Sequence, residues 1–338
     1  MGCCPSSAAN KANENGATPL YIACDKGHVD AARLLLDKGA EVDRADEDGR
    51  TPLFVACFKG HVGAARLLLD KGADVNRAVK NWTPLYVACD KGHVDAARLL
   101  LAKGAEVDRA MNDGRTPLYA ACENGHVGAA RLLLENGAEV DRAASGRWNQ
   151  GQTPLWIACL IGHIDTACLL LDKGAEVDRA DGLYGKTPLR IACQNGHVVV
   201  TRLLLEKGAA VDRAEKDGFT PLYVACQNGH VAVVRMLLDT GAEVDRANKN
   251  GATPLYIACE KGHVEVARLL LERGADDEIE TAWSWWDPQR WWLRLHTPLG
   301  AAQDGARRGK LGYDEIVELI QAKQRQRHQE GTTADQEL

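Results

Sequence analysis

The sequence predicts an all-α fold: eight helix–turn–helix units stacked on one another, closed by a degenerate ninth. Three observations carry that prediction. The tripeptide Thr-Pro-Leu starts at Thr18, Thr51, Thr83, Thr116, Thr153, Thr187, Thr220 and Thr253, at intervals of 33, 32, 33, 37, 34, 33 and 33 residues, with a weaker ninth at Thr297. The string Ala-Cys-x-x-Gly-His follows each of the first eight. A second apolar run, "ARLLL" or a close variant, then leads to Gly-Ala. Self-similarity at this period is the signature of a repeat architecture.

Within one unit the signals come in order. Thr18 offers a hydroxyl N-cap, and Pro19 fixes φ where no N–H is needed, so a helix starts there. Gly27 ends that first helix after "PLYIACDK". His28 opens a second, "HVDAARLLLDK", which Gly39 ends. Val29, Ala32 and the run Leu34, Leu35, Leu36 make an apolar stripe wide enough for neighbours on both sides. The connecting "GAEVDRADEDGR" holds Asp48-Gly49, echoed by Asp113-Gly114, Asp217-Gly218 and Asn250-Gly251, dipeptides that favour tight turns. No such unit can bury its own apolar face, so the units must stack.

The combined pattern G-x-TPL-x-x-A-x-x-x-GH…LLL-x-x-GA-x-V resembles the ankyrin repeat, clearly over 10–276 and weakly over 297–323. The resemblance implies an ankyrin-repeat solenoid whose turn tips and first helices line a concave groove for partner proteins. Two departures stand out. The family usually has His directly after TPL; here the position holds Tyr21, Phe54, Tyr86, Tyr119, Trp156, Arg190, Tyr223 and Tyr256, which puts that histidine's hydrogen bonds in doubt. The second Ala of the family's Ala-Ala is Cys in all eight units.

A Cys and a His four residues apart invite a metal site or an activated thiolate. Zinc, however, needs about four ligands at 2.0–2.3 Å, and each unit supplies two on either side of a helix-breaking Gly. Helices stack about 8–10 Å apart, too far for a disulfide ladder. The cysteines are therefore expected to be buried small hydrophobes, and the histidines to bond local backbone. No orienting third group recurs with the pair, so no enzymatic activity, metal or cofactor is expected.

Net charge is −6 with both signs interspersed, and no basic patch points to nucleic acid. No apolar run approaches the roughly 18 residues of a membrane span, and no secretory signal is evident. The eleven cysteines are then expected as free thiols in a reducing compartment, the cytoplasm. The C-terminal "DQEL" is only faintly like a retention tail and is set aside for want of an entry signal.

By the resemblance, exposed positions are the residue before TPL and the two after the cysteine. They nominate Arg50, Trp82, Arg115 and Phe219 from the first set, and Phe58, Leu160 and Ile161 from the second. Aromatic, aliphatic and Arg side chains are what interface hot spots are made of. Trp148 joins them because four extra residues around "ASGRWNQG" lengthen its turn. The expected function is a non-enzymatic scaffold or adaptor, monomeric, binding a protein partner.

The termini carry separate signals. Residues 1–9 are expected as a flexible peptide, and "MGCCPSS" matches M-G-x-x-x-S. It is similar to dual-acylation peptides, with myristate on Gly2 and palmitate on Cys3 or Cys4. That would make the chain a membrane-targeting module, since one myristoyl group alone binds only marginally. Residues 277–296 are expected as an insertion whose Trp-rich segment, 283–292, holds five of the eight tryptophans. It reads first as a helical insertion packed on the array's end, with a membrane-interface or partner-docking element next and a poorly ordered loop last. Residues 297–323 carry about seven extra residues between helices and read as a cap, and 324–338 as a disordered polar tail.

Overall fold

The computed structural model describes residues 9–280 and 297–334, with side chains to 330. All regular structure among the described residues is helical, apart from one isolated antiparallel bridge between Val79 and Trp82. First helices of the units are α1 (Pro19–Asp25), α3 (Pro52–Lys59), α5 (Pro84–Asp90), α7 (Pro117–Glu123), α9 (Pro154–Ile161), α11 (Pro188–Gln194), α13 (Pro221–Gln227) and α15 (Pro254–Lys261). Second helices are α2 (Val29–Asp37), α4 (Val62–Asp70), α6 (Val94–Ala102), α8 (Val127–Glu135), α10 (Ile164–Asp172), α12 (Val198–Glu206), α14 (Val231–Asp239) and α16 (Val264–Glu272). A ninth pair, α17 (Pro298–Arg307) and α18 (Tyr313–Ala334), completes the series.

The chain forms two compact units, Met1–Ala158 with His163–Glu176, and Cys159–Gly162 with Val177–Leu338. In the first, α1, α3, α5 and α7 pack in succession, as do α2, α4, α6, α8 and α10. In the second, α11, α13, α15 and α17 do the same beside α12, α14, α16 and α18. Each Thr of Thr-Pro-Leu accepts, through Oγ1, the backbone N–H three residues on, from Tyr21 in the first repeat to Gly300 in the ninth. This satisfies one of the orphan donors at a helix start, and it uses main chain, so any side chain can follow TPL.

Stacking is written in hydrogen bonds between successive repeats. The Asp or Asn after each "V" accepts the N–H of the residue after the next Gly-Ala: Asp43 from Asp74, Asn76 from Glu106, Asp108 from Glu139 and Asp141 from Glu176 in the first unit. Asp178, Asp212 and Asp245 repeat the rung in the second.

The histidines form a parallel series, and here the sequence expectation is corrected. His61, His93, His126 and His163 bond through Nε2 to carbonyls of Asp25, Phe58, Asp90 and Glu123, each in the preceding repeat, at 3.1–3.2 Å. His197, His230 and His263 do so to Leu160, Gln194 and Gln227 at 3.0 Å. A carbonyl only accepts, so Nε2 carries the hydrogen. The Gly before each His is needed twice over. Gly60 has φ 75°, and a Cβ there would lie 2.7 Å from Nδ1 of His93 in the next repeat.

The ninth pair follows the same rule with a different residue. Tyr313 stands where His stands elsewhere, and its hydroxyl donates to the Glu260 carbonyl at 2.8 Å. Its α18 also runs well past the nine residues of an ordinary second helix. Residues 324–334, expected as a disordered tail, are helical. Gln324 donates to Asp277 at 2.7 Å, Arg327 pairs with the same carboxylate, and Lys323 reaches the Leu271 carbonyl. Asp277, expected to open the insertion, is thereby buried at 1 % exposure.

Candidate interaction surface

All eight repeat cysteines are buried and free. Burial pushes the Cys24 and Cys193 thiols up to about 12, and raises those of Cys57, Cys89, Cys122, Cys159, Cys226 and Cys259 well above the ordinary thiol value. A thiol held protonated is neither nucleophile nor metal ligand. With seven of the histidine rings committed to the previous repeat, the Cys/His pair is a packing solution repeated along the chain. Among the described residues, no group of three or more His, Cys, Asp or Glu is placed to hold a metal ion.

The other surface available for function is the edge made by turn tips and first helices. In the first unit, Arg50 is half-buried, with Nε 2.7 Å from Asp46 and an Nη 3.0 Å from Asp48. Arg115 lies 2.7 Å from Asp113 and 3.4 Å from Glu123. Trp82 packs against Tyr86 in a tilted arrangement, centroids 5.3 Å apart and planes at 57°, carried by a two-residue turn in which Lys80 and Asn81 both have positive φ. Phe58 lies under the ammonium groups of Lys91 and Lys59 at 5.2 and 5.7 Å. Trp148 is 76 % exposed on its lengthened turn, with the Arg147 guanidinium 5.1 Å from the ring centroid. That turn is fixed by the N–H groups of Ser145 and Gly146, both donating to the Asp113 carbonyl at 2.8 and 2.9 Å.

In the second unit, Ile161 is 41 % exposed and Leu160 half-buried. Phe219 rests on Tyr223, centroids 5.0 Å apart. In these two repeats the residue before TPL is a half-buried lid over the residue after it. The sequence treats that position as free of packing; Trp82 and Phe219 instead keep one face in contact and offer the other. Gly2, Cys3, Cys4 and the Trp-rich segment 283–292 lie outside the described residues.

The residue after TPL reaches sideways. Tyr119 donates to Gln152 of the next tip at 3.1 Å. Arg190 pairs with Glu215 at 2.9 Å, both side chains 6 % exposed, and also bonds Gln194. Burial draws the Arg190 guanidinium below its ordinary value and lifts the Glu215 carboxyl above its own. Arg190 was visible in the sequence only as a departure from an aromatic series; its partner 25 positions on was not.

Within each unit, Thr-capped helix pairs linked by histidine and aspartate rungs at one-repeat spacing agree with the family comparison. A family profile described as Ankyrin repeats (3 copies) matches residues 3–79, 75–144, 111–181, 143–214, 173–248 and 210–281. The chain belongs to the ankyrin-repeat family. Ankyrin repeats generally mediate protein–protein interaction, and the family is typically non-enzymatic. No curated protein matches the chain. No helix among the described residues of this ankyrin-repeat protein is long and apolar enough to cross a membrane.

Proposed function

We propose that the protein is a scaffold or adaptor, without catalytic activity, that binds a protein partner along its turn tips and first helices. The observation that carries this reading is the placement of unlike, partly accessible side chains at one structural position in six of eight near-identical repeats; the other two hold buried Ala17 and Ala252. Trp82, Arg115, Phe219 and their equivalents differ from repeat to repeat, while the buried positions barely change. Arg50, Phe58, Trp148, Leu160 and Ile161 supply further contacts of the types that dominate binding energy. Proximity labelling with the intact chain would identify partners. Trp82→Ala or Phe219→Ala should then weaken a confirmed partner by at least about 2 kcal/mol, while Asp95→Ala on a second helix leaves it bound. Equal losses from both kinds of substitution would refute the assignment of the surface.

A second reading rests on "MGCCPSS". Gly2 myristoylation with palmitate on Cys3 or Cys4 would place the partner at a lipid surface. Gly2→Ala should release the chain from membranes in a eukaryotic cell, and the double Cys3→Ser, Cys4→Ser change should weaken attachment with myristate intact. A wild-type chain that fractionates as wholly soluble removes this reading and leaves the scaffold reading standing.

A further inference from the structure

Within the second unit the tips of three successive repeats are bonded edge to edge. Asp181, 6 % exposed, accepts through Oδ1 the N–H groups of Tyr184, Gly185 and Lys186 at 2.9, 2.7 and 3.1 Å, which fixes the first tip. The second tip closes on itself: the Glu215 N–H donates to the Phe219 carbonyl at 3.2 Å and the Gly218 N–H to that of Glu215 at 2.9 Å. Lys216 joins the two. Its backbone N–H donates to the Tyr184 carbonyl at 2.8 Å, and its ammonium to the carbonyls of Gly182 and Leu183 at 2.9 and 2.7 Å. The Lys249 N–H then donates to the Asp217 carbonyl at 3.1 Å, attaching the third tip. Arg190 anchors the middle tip from α11 through Glu215.

The ledge so built has a definite chemistry. Tyr184 is 50 % exposed, with the Lys186 ammonium 4.5 Å from its ring centroid, and the half-buried Leu183 and Phe219 continue the apolar surface. The acidic groups of the first two tips are mostly turned to internal use. Asp181 holds backbone amides and Glu215 holds Arg190, which leaves Asp217 exposed. Against that single exposed carboxylate stand three ammonium groups, on Lys186, Lys216 and Lys249. In the first unit, by contrast, the tip at 46–50 sets Asp46, Glu47 and Asp48 around Arg50.

We propose that Leu183, Tyr184, Lys186, Lys216, Phe219 and Lys249 form a preorganised docking surface for an acidic peptide segment bearing an aliphatic or aromatic side chain. The proposal rests on the reading of the repeats as a protein-binding module and narrows it to one surface and one class of partner. Two features make the surface suited to such a segment. Main-chain and buried side-chain bonds already fix the tips, so little ordering cost remains on binding. The exposed Lys249, with the positive charges of Lys186 and Lys216 beside it, steers a negative segment, and the rings supply the apolar contact that holds it.

The test is selection of random displayed peptides on the immobilised full-length chain. The enriched peptides should be net negative and carry at least one large apolar residue. Their affinity should fall at least about tenfold with Tyr184→Ala and with Lys249→Glu, and fall with added salt. Lys249 is exposed, so its substitution leaves folding intact, to be verified by circular dichroism. Basic or uncharged winners overturn the proposal, as does failure to enrich any peptide. Acidic winners insensitive to both substitutions overturn it too. If those winners are instead lost with Trp82→Ala or Trp148→Ala, the scaffold reading survives; only absence of any confirmed protein partner defeats that broader reading.

Discussion

At the first repeat Ile22 is 42 % and Leu34 55 % exposed, while their counterparts one repeat on, Val55 and Leu67, are 4 % and 6 % exposed. The last full repeat is treated differently. Leu269, Leu270 and Leu271 are at most 7 % exposed, covered on the far side by α18, whose Ile316 and Ile320 are fully buried. The two repeats have nearly the same sequence, "VDAARLLLD" against "VEVARLLLE". Burial of a repeat residue is therefore a property of its neighbour rather than of its own helix, as expected where each unit contacts only the next. The first repeat keeps apolar side chains exposed; the last is closed by a longer helix and a buried carboxylate.

The sharpest way to break that comparison is to remove equivalent amounts of apolar surface at each end. Ile320→Ala should cost about 2–5 kcal/mol, as for other fully buried aliphatic truncations. Leu34→Ala should change stability by no more than about 0.5 kcal/mol, because little contact is lost. Denaturant melts of the two variants decide it. Similar costs at both ends would mean that Leu34 is covered in solution.

A smaller effect is expected at the carboxylate. Asp277→Ala should cost about 1–3 kcal/mol by leaving the Gln324 amide and the Arg327 guanidinium without their shared acceptor. Amide exchange should rise in 324–334 and not in α1 or α2. Unchanged exchange there would show that the extension of α18 is held by something other than this cluster.

Packing inside the repeats separates the ends more finely. Cys122→Ala should cost about 1 kcal/mol or less, and Cys122→Leu about 1–3 kcal/mol by overpacking. Cys24→Leu should cost less than Cys122→Leu, since the first repeat can relax toward its open side. Below pH 9 the repeat thiols remain protonated, because burial has raised every one of them. Among the described cysteines, alkylation at pH 8 should then be led by the half-buried Cys168. Fast labelling of Cys122 would contradict its burial.

These features differ in how far the sequence discloses them. Thr18 as cap, Gly27 as stop and Cys24 as buried alanine substitute are local matters, decided by a residue and its near neighbours. The histidine rung is not local. His61 bonds Asp25, 36 positions back, and the register of stacking alone chooses that carbonyl. The same holds for Asp43 with Asp74 and for Arg190 with Glu215. Trp82 and Phe219 were found as accessible aromatics, but the ring beneath each was not. Tyr184 was missed altogether, because it lies two residues before Lys186, the one position of its tip that the resemblance marks as exposed.

A loss the size of a single hydrogen bond is expected at Tyr313. In α18 it takes the place that His holds at the start of earlier second helices, which several inserted residues in the preceding turn conceal in the sequence. Its hydroxyl meets the Glu260 carbonyl, and its ring lies where a Cβ on Gly262 would come within 2.6 Å, as the next histidine ring does for the earlier glycines. Tyr313→Phe keeps the ring and loses the donor, so it should cost about 1 kcal/mol, the net value of a typical hydrogen bond. Tyr313→His restores a ring N–H but shortens the side chain, and a Cβ on Gly305 would already lie 1.9 Å from the tyrosine ring, so that ring fills the space against α17. The histidine variant should therefore fall between wild type and Phe only if Nε2 still reaches Glu260. A cost above that of Tyr313→Phe would assign the position to ring packing against α17, and would set the closing pair apart from the rung that joins the other repeats.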